Sequence, residues 1–138
     1  MLLYFSNGGD DTTGTGTQAN PYKTVAKANT LLAAWTSGAF DGISFLGGQI
    51  FSDAALAVPA IAGTVTAPFV ITSHGTGRAK LKRITGTAAA VVLTGASYVS
   101  LQNISVESIT GSGVASNQNC ITLSACTGIV LDRVDTLG

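Results

Sequence analysis

Charged side chains are scarce in this sequence of 138 residues. They make up 10% of it, and seven Lys or Arg residues balance seven Asp or Glu, so the formal net charge at pH 7 is zero. Soluble domains carry about 25% charged residues, so Thr, Ser, Asn, Gln and the 17 glycines must cover much of this surface. Such a composition is common in elongated β proteins. The neutral balance gives no electrostatic reason to expect a nucleic-acid partner.

Long apolar runs are also missing, although the mean hydropathy is +0.41. The longest run, residues 54–62, is short and interrupted by Pro59, whereas a transmembrane helix needs about 20 apolar residues. We therefore expect no membrane span. Residues 1–5 have no basic residue ahead of the apolar ones, which a secretory signal would need. Two interpretations stay open: the chain needs no export signal, or the sequence given has been cut.

Cysteine and histidine are rare. Cys120 and Cys126 have no histidine near them in the sequence, so a zinc site is not expected. We expect small buried thiols, and a disulfide between them is the alternative that stays open. His74 is the only histidine, and it follows a predicted strand in the Gly-rich segment at residues 73–77, where a turn role is expected. We therefore do not expect it to form a nucleophilic pair.

One stretch of the chain occurs twice. Residues 90–104 align without a gap with residues 120–134, an offset of 120 − 90 = 30, and Leu101 then matches Leu131. The near-alternating apolar residues in each copy predict a strand, a bend and a second strand. Because no helix separates these strands, the repeat predicts units that stack parallel on one another rather than an α/β fold.

One amphipathic helix is predicted, because apolar residues recur at spacings of three and four from Val25 to Trp35. Thr24 is the expected N-cap, and Ser37 and Gly38 are expected to end the helix. Its apolar face would cover the N-terminal end of the stack. Trp35 is expected to pack in the core rather than to form a platform for a sugar.

These features resemble the N-terminal part of right-handed parallel β-helix proteins, the pectate-lyase-like superfamily that includes polysaccharide lyases, epimerases and bacteriophage tailspikes. The resemblance is carried by the segments at residues 4–10, 21–25, 41–48, 68–75 and 98–104. It implies an all-β fold, a right-handed parallel β-helix (solenoid) with one N-terminal capping α-helix. The single domain would span residues 1–138, with the first strand, loop and helix in 1–40 and the coils in 41–138. It also implies a location outside the cell or on a virion surface.

Two groups of charged residues are candidate sites. Arg78, Lys80, Lys82 and Arg83 form a basic cluster around one predicted strand, where they would bind an acidic glycan or another anion; the alternative is a solubilising strand face that blocks unwanted sheet pairing. Asp10 and Asp11 lie in a Gly/Asn turn and would hold Ca²⁺ together with loop carbonyls. The alternative is that both residues only form the turn.

No catalytic residue is predicted, because no stretch matches the calcium motif or the basic catalytic residue of a lyase. Our first functional hypothesis is a non-catalytic structural or glycan-contacting module of a phage tail or surface fibre. The alternative is the N-terminal fragment of a secreted polysaccharide lyase or epimerase without its catalytic coils. The expected partners are a second copy or further coils at an open end, and a polysaccharide.

Overall fold

The computed structural model describes residues 1–83, 89–108 and 120–137. Within these ranges one helix and ten strands follow one another along the chain. The helix α1 is Val25–Ala33, between the first two strands. The strands are β1 Leu2–Phe5, β2 Gly42–Leu46, β3 Ile50–Phe51, β4 Leu56–Val58, β5 Phe69–His74, β6 Ala79–Lys82, β7 Val91–Thr94, β8 Val99–Glu107, β9 Ile121–Ser124 and β10 Val130–Leu137.

The strands form two parallel sheets. The larger sheet has seven strands in the order β1-β2-β5-β8-β6-β3, and β10 also pairs with β8. The smaller sheet has three strands in the order β4-β7-β9. Strand β8 joins two arms of the large sheet, because its first residues pair with β5 and its last residues pair with β6.

The 30-residue repeat predicted from the sequence sets the register of both sheets. Leu101 pairs with Leu131 and Ile104 pairs with Val134 in the large sheet, and Val91 pairs with Ile121 in the small one. The backbone repeats as well: φ is positive at Asn103 and at Arg133, which are 30 residues apart. The prediction that the second copy lies parallel against the first is confirmed.

The predicted right-handed parallel β-helix, however, is wrong for this chain. The structure has two curled sheets, the larger one shaped like half a barrel, and shows no solenoid. The reason lies at Asn103, whose φ of 50° bends β8 without ending it. The predicted strand, bend and second strand are therefore one nine-residue strand, and both arms belong to the same sheet.

The core lies between the sheets and the helix. Fully buried phenylalanines from three strands contact one another, with ring centroids 5.2 Å apart for Phe5 and Phe45 and 4.9 Å apart for Phe45 and Phe51. Buried residues of the small sheet, including Leu56, Val91 and Leu93, belong to the same hydrophobic cluster.

Helix α1 begins where the sequence predicts. The Thr24 side chain accepts a hydrogen bond from the amide of Lys27, and Asp53 accepts two more from the amides of Val25 and Ala26, each at 3.0 Å. Together they satisfy three of the amides that a helix start leaves unpaired. The helix ends at Ala33, earlier than predicted. No helix in the described ranges is long and apolar enough to span a membrane.

The N-terminal edges of both sheets are covered. The segment at residues 16–22 hydrogen-bonds the free edge of β1, with Tyr4 bonded to the carbonyl of Gly16 and to the amide of Tyr22. On α1, the Asn29 side chain donates to the carbonyl of Ala55 at 2.8 Å and accepts from the amide of Ala57 at 2.9 Å, so it satisfies the edge of β4 as a further strand would. Helix α1 therefore lies against the edge of the small sheet.

Candidate functional site

A groove of about 240 Å³ opens beside the end of α1. Its walls are the connection from α1 to β2 and the loop that leads from β4 to β5. Aromatic and small side chains form its floor, and a few polar residues form its rim; the lining residues are Trp35, Ser37, Gly38, Phe40, Asp41, Ala62, Gly63, Thr64, Ala67, Pro68 and Phe69. A concave, mainly apolar surface with a few polar groups is the usual form of a small-molecule site.

The indole of Trp35 is the largest surface in this groove, and it is held rigidly. Its N–H donates to the carbonyl of Phe40 at 2.9 Å, and its ring meets the buried ring of Phe69 edge to face, with centroids 5.9 Å apart. The side chain is half-buried. The expected core contact is thus confirmed, but the rest of the ring lines the groove. The sequence interpretation favoured core packing over a sugar platform; the core contact is present, and Trp35 also lines the groove.

The opposite wall is fixed by a tight turn. The amide of Ala67 donates to the hydroxyl of Thr64 at 3.0 Å, and the amide of Thr64 donates to the carbonyl of Ala67 at 3.1 Å. Gly63 lets this loop lie against the rest of the fold, because a Cβ at that position would come within 2.3 Å of the carbonyl oxygen of Tyr98. These two hydrogen bonds therefore fix the backbone at Thr64, which is exposed and lines the groove.

The rim holds one carboxylate, that of Asp41. It is exposed and ion-pairs with the amino group of Met1. Its backbone is fixed on both sides, since its amide donates to the carbonyl of Met1 at 2.8 Å and its carbonyl accepts from the amide of Val70 at 3.0 Å. The lining includes Asp41 and no Lys, Arg or His side chain, so the groove itself offers no basic group to an anion.

The predicted basic cluster lies on and beside β6, and three of its four side chains form ion pairs. Arg78 bonds to Asp135 at 2.6 Å, and Lys80 and Lys82 bond to Glu107 at 3.0 and 3.6 Å. The hydrogen bond from Lys80 and the charges of both lysines lower the pKa of the Glu107 carboxyl. Two carboxylates thus offset half of the four positive charges.

The fourth member, Arg83, lies at the end of this face. Its backbone amide donates to the carbonyl of Glu107 at 2.9 Å, and its Nε is buried without a hydrogen-bond partner within the described part of the chain. The cross-strand ion pairs give the cluster a structural role, in which it joins β6, β8 and β10. Glycan or anion binding by these residues stays a prediction.

The two aspartates predicted to hold Ca²⁺ accept hydrogen bonds from the protein itself. Asp10 accepts from the amides of Thr12 and Thr13 at 2.7 and 2.8 Å, and these bonds lower its pKa. Burial alone would raise the pKa of Asp11, but hydrogen bonds from the Thr24 hydroxyl and the amides of Lys23 and Thr24 outweigh it, so the net shift is downward. Asp10 therefore forms a local turn, and Asp11 anchors the segment that precedes α1; Ca²⁺ binding stays a prediction.

Clustered ligands of the kind that hold a metal ion are not found in residues 1–83, 89–108 and 120–137, where no group of three or more His, Cys, Asp or Glu side chains is close enough. The carboxylates are instead engaged one by one. Each of the seven in the chain has a hydrogen-bond or ion-pair partner: Asp10, Asp11 and Asp53 accept backbone amides, Asp41 pairs with the Met1 amine, and Glu107, Asp132 and Asp135 pair with Lys or Arg.

Sequence reasoning missed one polar pair, Ser44 and His74. The Ser44 hydroxyl and the His74 Nδ1 are 2.9 Å apart, and the ring of Tyr4 meets the imidazole edge to face. Burial lowers the pKa of His74. Ser44 is fully buried, so its hydroxyl is out of reach of a substrate. The alternation of β2 signals that Ser44 lies opposite the core, but nothing in the sequence signals its partner.

The fold and the groove define an all-β scaffold with one rigid aromatic cleft. No protein-family model matches the sequence, and no curated protein matches it. Among solved structures, the native GH136 lacto-N-biosidase from Eubacterium ramulus aligns with 98% of this chain and 26% of its own, with 18% identity and a TM-score of 0.73. The selenomethionine derivative of that enzyme aligns over the same shares, with 15% identity and a TM-score of 0.70.

At such low identity this likeness shows the fold alone. The chain spans about a quarter of the length of the solved structures that it matches. The assignment to the pectate-lyase-like and tailspike-like superfamily is therefore wrong, since the matching structures belong to a GH136 enzyme and the strands do not form a solenoid. The short motifs at residues 21–25 and 98–104 specify a capping helix and a paired strand, and both features occur in more than one fold.

Proposed function

We propose that this chain is a glycan-contacting part of a carbohydrate-active protein, and that the groove beside Trp35 makes the contact. Two solved structures with a similar fold are those of a GH136 lacto-N-biosidase, whose name describes an enzyme that acts on a glycan. This likeness supports a carbohydrate-related role. It favours the carbohydrate part of our sequence hypothesis over the phage part, which no comparison supports.

The partly exposed side chain of Trp35, which lines the groove, is the observation that carries the proposal. A sugar ring presents an apolar face of C–H groups and an edge of hydroxyls, and an aromatic ring beside polar groups matches both. The bond to Phe40 and the contact with Phe69 already hold the indole in place. Binding would therefore cost little additional side-chain entropy, which favours affinity.

We propose recognition rather than bond cleavage as the contribution of these residues. Glycoside hydrolysis uses two carboxyl groups on either side of the scissile bond, about 5 to 10 Å apart. The groove offers one, Asp41, and each of the other carboxylates is bound to an amide or a cation elsewhere. A catalytic pair would have to come from a longer protein, and the share of 26% of the matching structures gives room for one.

The alternative, the first part of a polysaccharide lyase or epimerase, differs in what it predicts. A lyase acting on an acidic polysaccharide such as polygalacturonate produces unsaturated products, which absorb in the ultraviolet. We expect no absorbance change with this chain in the presence of Ca²⁺. A rise in absorbance would overturn the proposal of a non-catalytic role.

Glycan binding can be tested with a panel of neutral oligosaccharides, with polygalacturonate as the acidic comparison. We expect binding to a neutral glycan, and a loss of affinity of about tenfold or more in Trp35→Ala, since stacked aromatic contacts commonly dominate such sites. Because Trp35 also contacts the core, Ala67→Phe serves as a second variant that fills the groove and leaves the indole in place. Val65→Ala is the matched control, as Val65 is exposed next to the groove but does not line it.

Unfolding of either variant would show in circular dichroism before binding is measured. Two results would contradict the proposal: no neutral glycan binds the wild-type chain, or Trp35→Ala and Ala67→Phe both bind as well as Val65→Ala. Preferential binding of polygalacturonate would instead point to the basic residues of β6.

A further inference from the structure

The two copies of the repeat differ in burial, and the difference identifies an uncovered surface. Leu101 and Leu93 in the first copy are fully buried, whereas their counterparts Leu131 and Leu123 in the second copy are 50% and 48% exposed. Register and backbone conformation are otherwise the same in both copies. The first copy is covered by β10 and β9, and nothing in the described ranges covers the second.

This exposed surface lies at one end of the molecule only. At the other end, residues 16–22 satisfy the edge of β1 and the Asn29 side chain satisfies the edge of β4. A second copy therefore cannot add β10 to β1 and propagate a fibre. Strand β3 also ends the large sheet, but the Asn7 side chain donates to the carbonyl of Ile50 on that strand at 3.1 Å. The outer edge of β10 has no such partner among the described residues, and an exposed strand edge is a template for pairing.

We infer that β10 is the interface of a symmetric dimer, in which it pairs antiparallel with β10 of a second copy of this chain. The same patch on each subunit then contacts itself across a twofold axis, which closes the assembly at two chains. The axis passes beside the bend at Arg133, so that Asp132 of one copy faces Arg133 of the other and Leu131 faces Val134.

This register follows from the faces of the strand, because residues that face each other in an antiparallel pair must lie on the same face. Leu131 and Val134 pair with Leu101 and Ile104, which point into the core, so both point inward. Leu131 and Val134 are three positions apart, so in a straight strand they would lie on opposite faces. The bend at Arg133 shifts the alternation by one residue, and both side chains therefore lie on the inner face. A register shifted by one residue would set inward residues against outward ones.

Charge supports the same register. Asp132 and Arg133 already lie 3.4 Å apart within one chain and are both largely exposed. In the proposed dimer each also faces its opposite in the second copy, which gives two favourable cross-strand pairs related by symmetry. The charges of β10 are therefore complementary to those of a second β10 in the antiparallel direction, which favours a second copy of this chain as the partner at this edge.

The test is the oligomeric state under reducing conditions, measured by sedimentation velocity over a wide concentration range. We expect a reversible dimer for the wild-type chain. Asp132→Arg places like charges opposite each other twice and should weaken the dimer by roughly tenfold or more. The double variant Asp132→Arg/Arg133→Asp exchanges the charges and should restore it. Val65→Lys, which adds a charge at an exposed apolar residue away from β10, should dimerise as the wild type does.

The double variant separates a lost interface from a damaged fold, because its two substitutions retain the charge pair within the chain. A wild-type chain that stays monomeric at every concentration overturns the inference. So does equal dimerisation of Asp132→Arg and the wild type, or a failure of the double variant to recover. Assembly beyond two chains also overturns it, because a twofold interface closes at two chains.

Discussion

The same leucine position occurs in two settings, and this allows a matched test of packing in the repeat. Leu101 lies between Ile71 on one side and Leu131 on the other and is fully buried. Leu131 has a neighbouring strand on one side only and is 50% exposed. The two residues share backbone conformation and chemistry, so a difference in the cost of truncation reports the missing neighbour.

Leu101→Ala should lower the free energy of unfolding by about 3 kcal/mol, since it loses the transfer free energy of a buried side chain and leaves a cavity between two strands. Leu131→Ala should cost about 1 kcal/mol, because about half of that surface is already in water and no closed cavity remains. A domain of this size is stable by about 5 to 15 kcal/mol, so both variants should fold. Leu101→Asp should not fold, because it buries an unpaired carboxylate.

Urea unfolding followed by circular dichroism measures both costs. Both variants should be made in the Asp132→Arg background, because dimerisation would bury Leu131 and raise its apparent cost. An unchanged slope of free energy against urea would show that the same surface unfolds in each. Equal costs at the two positions would refute the reasoning, because they would mean that β10 is covered on both sides in solution.

Three further predictions follow from the bends, the histidine and the turn. Arg133 has the positive φ that suits Asn103, so Arg133→Asn should raise the free energy of unfolding by about 0.5 to 1 kcal/mol; an unchanged or lower value in urea unfolding would contradict the assigned strain. Burial lowers the pKa of His74 below its usual 6.5, so the unfolded chain binds the proton more readily. Stability should be full above about pH 6.5 and fall as the pH decreases below it, and His74→Gln should remove that dependence; a rise in stability on acidification would refute this sign. If Asp10 and Asp11 bind Ca²⁺, its addition should raise Tm and Asp10→Asn should abolish the rise, whereas an unchanged Tm on adding Ca²⁺ or a chelator would exclude the site.

Local and repeated features of this fold could be predicted from the sequence. The offset of 30 residues aligned Leu101 with Leu131 correctly, because strand pairing in register repeats the apolar pattern. Helix spacing and the N-cap at Thr24 were also correct, since both depend on residues within one turn of each other. The Asp53 side chain that completes this cap comes from 28 residues further along the chain, and no local pattern identifies it.

The overall architecture was not predictable in the same way. The apolar pattern indicates a bend at Asn103 but not whether the strand ends there; in the structure β8 continues through the positive φ of Asn103, and both arms stay in one sheet. Ion pairs such as Arg78 with Asp135 join residues 57 positions apart and became visible only when the strands were paired. The groove depends on a loop that Gly63 allows to pass close to Tyr98, a contact that leaves no periodic signal.

Trp35 is the only tryptophan in the chain, so its indole N–H gives a single resonance in the nuclear magnetic resonance spectrum. Titration with a neutral oligosaccharide that binds the chain therefore tests directly whether the glycan contacts the groove beside Trp35. We expect this resonance and the amides of residues 37–41 and 62–67 to shift saturably, while the amides of β10 do not move. A saturable shift confined to residues 78–83, or none at the Trp35 indole while the glycan binds, would contradict the assignment of the groove.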